Sequence, residues 1–454
     1  MRFAVSLQKY PRSHRAALAI NNDTDGMDWR SFRDWHDYVN GTGETHYGKG
    51  LGLEVSDSFW HWSDSHRFAL YHNSPDEIPK RSPEYEFISE MARLGWLDTL
   101  HGFGSWNRPY HAERKALLTA LEEMEGLGIR PKIYVNHGGG KHMSHNLGGV
   151  WATYQQADDP NSPSYCLDQL IKSGFRYFWW DNLYESDKFG NESNWPDQKA
   201  RETALKVYDA KRFTNARTGD RTRNLELACA ALGVADEAGL RAAVFDESFL
   251  PTTMRDGNKV LGFKRFRGEY PPDAGSFAHQ VNAARLDDLV RREAVVVVYQ
   301  HFGIWRALSS PPKNWASWRY SRVPVLDEHC VWAFRFLAER QARGEIFITT
   351  TQRLLDYLRM RDHLDYELRN EGSRLHVTLR RIACPIYGEG PARAADVQGL
   401  TFSVDGTPET VTMSDSDGRT VPLERLAGPA AEASARQADQ PLFWVPWQRL
   451  SYPF

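Results

Sequence analysis

At 454 residues the chain is long for one ordinary domain, so a large α/β unit with a smaller appendage is expected. Lys and Arg total 56 against 59 Asp and Glu, a net charge of -3 without a long single-sign run, which argues against a nucleic-acid surface or an acidic tail. The four cysteines lack C-x-x-C spacing, the N-terminal residues have no apolar signal-like core, and the densest apolar run, 294–299, is too short to span a bilayer. The expectation is a cytoplasmic protein with no nucleic-acid or membrane partner.

The first strong element is an apolar run, Leu18-Ala19-Ile20, that ends in Asn21-Asn22-Asp23-Thr24-Asp25-Gly26. Side chains alternate along a strand, so Asp23 and Asp25 share a face at its C-terminal end. A short helix over 29–39 and a strand over 51–55 follow, and helical spacing recurs over 85–94. Next come a strand over 96–100 ending at His101, a helix over 112–127, and a strand over 131–135 ending in Asn136-His137-Gly138. The strand 175–180 ends in Asp181, residues 225–240 read as a helical insertion, and 242–245 reads as a strand followed by Asp246-Glu247.

A helix over 276–293 then leads to Ala294-Val295-Val296-Val297-Val298-Tyr299, a β-branched run suited to a buried parallel strand, ending in Gln300-His301. A helix over 327–343, a strand over 346–348 and a helix over 351–360 complete the series. Repeated strand-then-helix units with polar residues at the strand ends predict a distorted (β/α) barrel of about seven parallel strands over 1–362, with its site at the C-terminal face. Residues 363–454 change texture, and short alternating strands there predict a β-rich, sandwich-like accessory module. The open doubly wound alternative lacks a Gly-rich phosphate turn after the first strand.

A barrel converges its strand ends on one pocket, so Asp23, Asp25, His101, His137, Asp181 and His301 are the candidate site. Each alone has a bland reading, an Asx turn for an aspartate or a hydrogen-bonded structural histidine. Together, carboxylate and imidazole suit zinc or a similar divalent ion, with a second carboxylate to take a proton from water and an imidazole to protonate a leaving group. Of the 16 tryptophans, most are expected in the core, although Trp106 follows His101 closely enough to contact a substrate.

These motifs resemble the polysaccharide deacetylases of the NodB-homology type (carbohydrate esterase family four). Asn22-Asp23-Thr24-Asp25-Gly26 is similar to that family's paired-aspartate motif, and the resemblance makes Asp23 the general base and Asp25 a metal ligand. His101 looks like the first metal histidine. The family's second histidine, four residues on, is replaced by Ser105, so His137 is expected to complete the set around zinc. Val135-Asn136-His137-Gly138 stands where the family has an arginine-bearing strand end, Trp180-Asp181 matches an aspartate and cleft-tryptophan pair in reversed order, and Val297 to His301 resembles the strand that ends in the catalytic acid.

The resemblance thus implies catalytic Asp23, His301 and Asp181, the last orienting His301, with substrate contacts from Trp106, Asn136 and Trp180. It implies removal of N- or O-acetyl groups from a sugar or polysaccharide. The alternatives are a glycoside hydrolase using paired carboxylates, among them Glu54 and Asp57, and a non-catalytic carbohydrate-binding relic of the barrel.

Overall fold

The computed structural model describes residues 2–25, 27–63, 68–73, 79–104, 113–136, 145–147, 156–183, 249–268, 272, 274–303, 326–426 and 440–454. Seven parallel strands close into a barrel: Ala16–Asn22, Ser56–Ser63, Leu97–Gly102, Ile133–Val135, Tyr177–Leu183, Lys259–Phe266 and Val295–Gln300. The first strand pairs with the seventh from Ala17 to Asn22. Its other edge changes partner midway, from Ile346–Ile348 opposite Ala16 to Leu18 to the second strand opposite Asn21 and Asn22. That change of partner forms a seam in the barrel wall.

Period-two alternation sorts the strand residues between two cores. Leu18, Ile20, Val296 and Val298 pack outward against Phe32, Trp35 and the other surrounding helices. Ala17, Ala19, Ile133, Val135, Leu261, Phe263, Val295 and Val297 belong to the second cluster. That cluster continues into Leu354, Leu355 and Leu358 of the helix Thr351–His363 and into Leu375, Val377 and Leu379 of the C-terminal module. Helix and module therefore extend the core laid down by the strands, and the polar residues collect at the strands' C-terminal ends.

The module is built of two four-stranded sheets, antiparallel except for the pairing of Arg374–Cys384 with Thr410–Ser414. One of them takes a strand from the opposite end of the chain, Val5–Leu7, which pairs antiparallel with Thr401–Val404. The N-terminus is therefore sewn into the C-terminal module before the chain enters the barrel.

Two expectations shift and one strand is new. The second strand is Ser56–Ser63 and not 51–55, because Leu51, Gly52 and Leu53 give their amides to Tyr38, Gly41 and Val39, with Gly52 at φ 59. The helix expected over 276–293 is broken: Val281 is extended, and Asn282 caps a new helix, Ala283–Arg291, by accepting from Arg285 N. The sixth barrel strand, Lys259–Phe266, raised no expectation in the sequence. The helix expected over 225–240 and the strand over 242–245 lie outside the described residues. Among the described residues no helix is long and apolar enough to cross a membrane.

Candidate active site at the barrel mouth

Asn21 and Asp23 continue the alternation of Ala17 and Ala19, so their side chains reach the inside of the barrel at its C-terminal end. Asp23 is fully buried, and Arg265 of the sixth strand grips it with two hydrogen bonds, Nη1 to Oδ1 at 2.8 Å and Nη2 to Oδ2 at 3.1 Å. Arg265 also donates to Asn21 Oδ1 at 2.6 Å, and Asn21 in turn donates to Thr99 Oγ1 at 2.9 Å. The guanidinium packs against two rings from the flanking strands, 3.9 Å from the centroid of Trp179 and 3.7 Å from that of Tyr299. A planar, weakly hydrated cation suits such a site, where a lysine ammonium would lose both the forked bond and the stacking.

Two imidazoles face the same carboxylate. His101 Nδ1 is 3.5 Å from Asp23 Oδ1 and 3.0 Å from Ser58 Oγ, and its ring stacks on Trp60 with centroids 4.3 Å apart. Ser58 also accepts from Thr24 N at 3.3 Å. From the seventh strand, His301 Nε2 stands 3.8 Å from Asp23 Oδ2 and 3.9 Å from Asp25 Oδ2. The other nitrogen, Nδ1, is 2.9 Å from the Pro272 carbonyl. A carbonyl only accepts, so Nδ1 carries the proton and the neutral ring presents its lone pair at Nε2.

Burial alone would raise the pKa of Asp23, but Arg265, helped by His101 and His301, holds it below the ordinary carboxylate range. Burial pushes His301 the other way, below its usual value, and Asp23 and Asp25 restore only part of that. Near pH 7 the mouth therefore holds an ionised Asp23 locked to Arg265 and a neutral His301. Asp25 keeps 17% side-chain exposure. Its loop is held by close contact, since a Cβ on Gly303 would come within 2.7 Å of Asp25 O and 2.4 Å of Met27 Cγ.

Other carboxylates near the strands have different partners. Asp57, behind Asp23, is bonded by buried His36 Nε2 at 3.0 Å. Glu54 lies at the seam and accepts from Thr349, Arg353, Trp447 Nε1 and Leu450 N.

Of the expected site residues, the structure brings together Asp23, Asp25, His101 and His301. Asn136 is 1% exposed, accepts from Leu147 N at 2.7 Å and reaches Leu147 O at 3.5 Å, so it staples one backbone segment to another. Asp181 was expected to orient His301, but the Pro272 carbonyl bonds the ring nitrogen that such a partner would take. The backbone of the fifth strand slips register between Trp179 and Asp181. The side chains of Trp180 and Asp181, and all of Ser105, Trp106 and His137, lie outside the described residues.

Among the described residues no three His, Cys, Asp or Glu side chains converge closely enough to hold a metal ion. Both Asp23 oxygens are taken by Arg265, and one ring nitrogen of each histidine is engaged by Ser58 or Pro272. The described residues alone thus supply no complete ligand set for a divalent ion.

Arg265 is the residue that sequence reading missed. The family resemblance implies an arginine near Asn136, whereas here the charge reaches Asp23 from a different strand. Its one signal was the alternation Leu261, Phe263, Arg265 on the inner face of an apolar run. Comparison with family models, with curated proteins and with solved structures gives no match.

Proposed function

We propose that the chain is a hydrolase that removes N- or O-acetyl groups from a sugar or polysaccharide, the activity implied by the resemblance of its strand-end motifs to the NodB-type deacetylases. The observation that carries this reading is His301 at the mouth, its tautomer fixed by Pro272 and its Nε2 flanked by the carboxylates of Asp23 and Asp25. In the reaction a water adds to the acyl carbonyl and gives its proton to His301 Nε2. The two carboxylates stabilise the imidazolium that forms, and His301 then passes the proton to the departing amine or alcohol.

The resemblance gives the base role to Asp23, but a carboxylate with a lowered pKa and both oxygens on a guanidinium is a weak proton acceptor. In this proposal Asp23 supplies a fixed negative charge instead. The zinc implied by the resemblance would need Asp25 together with donors outside the described residues, such as His137, and no step above depends on it. Glu54, held by Thr349, Arg353, Trp447 and Leu450, and Asp57, bonded by His36, give no specific support to a glycosidase.

The test is acetate release from acetylated glucosamine oligomers by the intact protein, with reducing ends measured in parallel. His301→Gln is expected to lower kcat by about 10²–10⁴-fold. Release of reducing ends without acetate, or oligomer binding without turnover, would contradict the proposal.

A further inference from the structure

Tyr299 stands two residues before His301, on the same face of the seventh strand, and the reaction above leaves it unused. Its side chain is buried except for a margin of 7%. The hydroxyl lies 3.4 Å from His301 Nε2. Since the His301 proton sits on Nδ1, against Pro272, the phenol is the donor and Nε2 the acceptor in this contact.

Burial, reinforced by Asp23 and opposed by Arg265, keeps the Tyr299 hydroxyl protonated far above neutral pH. It is therefore a donor and not a base. At 3.4 Å the contact is longer than the ~2.8 Å of a well-formed O–H hydrogen bond, so little is lost when the donor turns elsewhere. The ring itself is held, with the Arg265 guanidinium on one face and Trp179 5.6 Å away between centroids.

We propose that Tyr299 is a catalytic residue whose hydroxyl donates to the acyl oxygen as that oxygen becomes an anion; the proposal rests on the hydrolase reading given above. When water adds, the new C–O bond forms, the carbonyl π pair moves onto oxygen, and the water proton goes to His301 Nε2. Nε2 then carries hydrogen and no longer accepts from Tyr299. The phenol O–H is released at the step in which negative charge appears beside it. On collapse the C–N or C–O bond to the sugar breaks, His301 gives its proton to the leaving atom, and the phenol returns to Nε2. Water is the only co-reactant.

The test is Tyr299→Phe in the full chain, which keeps the ring and its stacking on Arg265. Steady-state rates with acetylated glucosamine oligomers and with 4-nitrophenyl acetate are expected to show kcat lowered by about 10²–10³-fold, the range for loss of one oxyanion donor, with KM within about twofold. Affinity for a phosphonate mimic of the tetrahedral state should fall by the same factor as kcat, while affinity for the oligomer product stays unchanged. An active wild type with a Tyr299→Phe variant of unchanged kcat would overturn the proposal alone. A wild type that releases no acetate from either substrate would overturn the hydrolase reading, and this proposal with it.

Discussion

One arginine–carboxylate pair at the barrel mouth is buried, another at the seam is partly exposed, and the two are surrounded differently. At the mouth, Asp23 and Arg265 both have 0% side-chain exposure, and the free edge of the carboxylate faces two imidazoles. At the seam, Glu54 and Arg353 have 4% and 17% exposure. There Glu54 also accepts from Thr349, Trp447 and Leu450, and Arg353 donates to the Gln448 carbonyl, so the pair ties the C-terminal tail across the change of strand partner. Every contact of Glu54 is with an element that needs anchoring. Asp23 is held just as firmly, but its neighbours His101 and His301 are groups that can exchange protons. The seam pair acts as a fastener, and in the proposed reaction the mouth pair supplies a fixed field.

That contrast predicts a graded set of outcomes. Arg265→Met should have the largest effect, because it leaves an uncompensated buried carboxylate: about 3–5 kcal/mol of stability by denaturant titration, with loss of acetate release in the fraction that stays folded. Arg353→Met should cost less, since that side chain is partly exposed and Glu54 keeps its other donors. Its kcat per folded molecule should be unchanged.

The smallest effect is one of pH. Asp98 accepts from Ser56, Thr99 and Gln352 N near the seam, and burial raises its pKa to about 6 against the partial relief of those bonds. A carboxyl raised in the folded state stabilises it below the unfolded value, ~3.9, and that stability is lost as pH rises through about 6. Asp23, with its lowered pKa, acts in the opposite sense: its contribution is present above ~3.9 and is lost only as pH falls through its folded value. Urea titrations between pH 4 and 7 should therefore show a flatter loss of stability for Asp98→Asn than for the wild type, whatever the constant offset from the substitution.

The barrel was legible where strands are apolar and β-branched, as at Val295 to Tyr299, and where carboxylates follow them, as at Asp23. It was not legible where the barrel strands carry buried polar residues. Ser56, Asp57 and Ser58 begin the second strand yet are fully buried, so hydropathy placed that strand five residues early. Lys264 and Arg265 interrupt the sixth strand although both are buried, which hid the strand and the guanidinium that governs the site. Pairwise chemistry across strands, such as Asp23 with Arg265, a carbonyl at Pro272 or a phenol at Tyr299, depends on register that a single sequence does not state. Asn136 is a polar residue at a strand end whose side chain holds the backbone of Leu147.

The central claim is that the mouth pair serves chemistry and the seam pair serves stability. It is tested most directly by removing each pair whole, so that no charge is left stranded. Acetate release per folded molecule should be measured for Asp23→Asn/Arg265→Met beside Glu54→Gln/Arg353→Met. The account predicts that the first double variant loses at least 10²-fold in kcat while the second keeps the wild-type kcat and melts earlier. Equal turnover by the two double variants would contradict it.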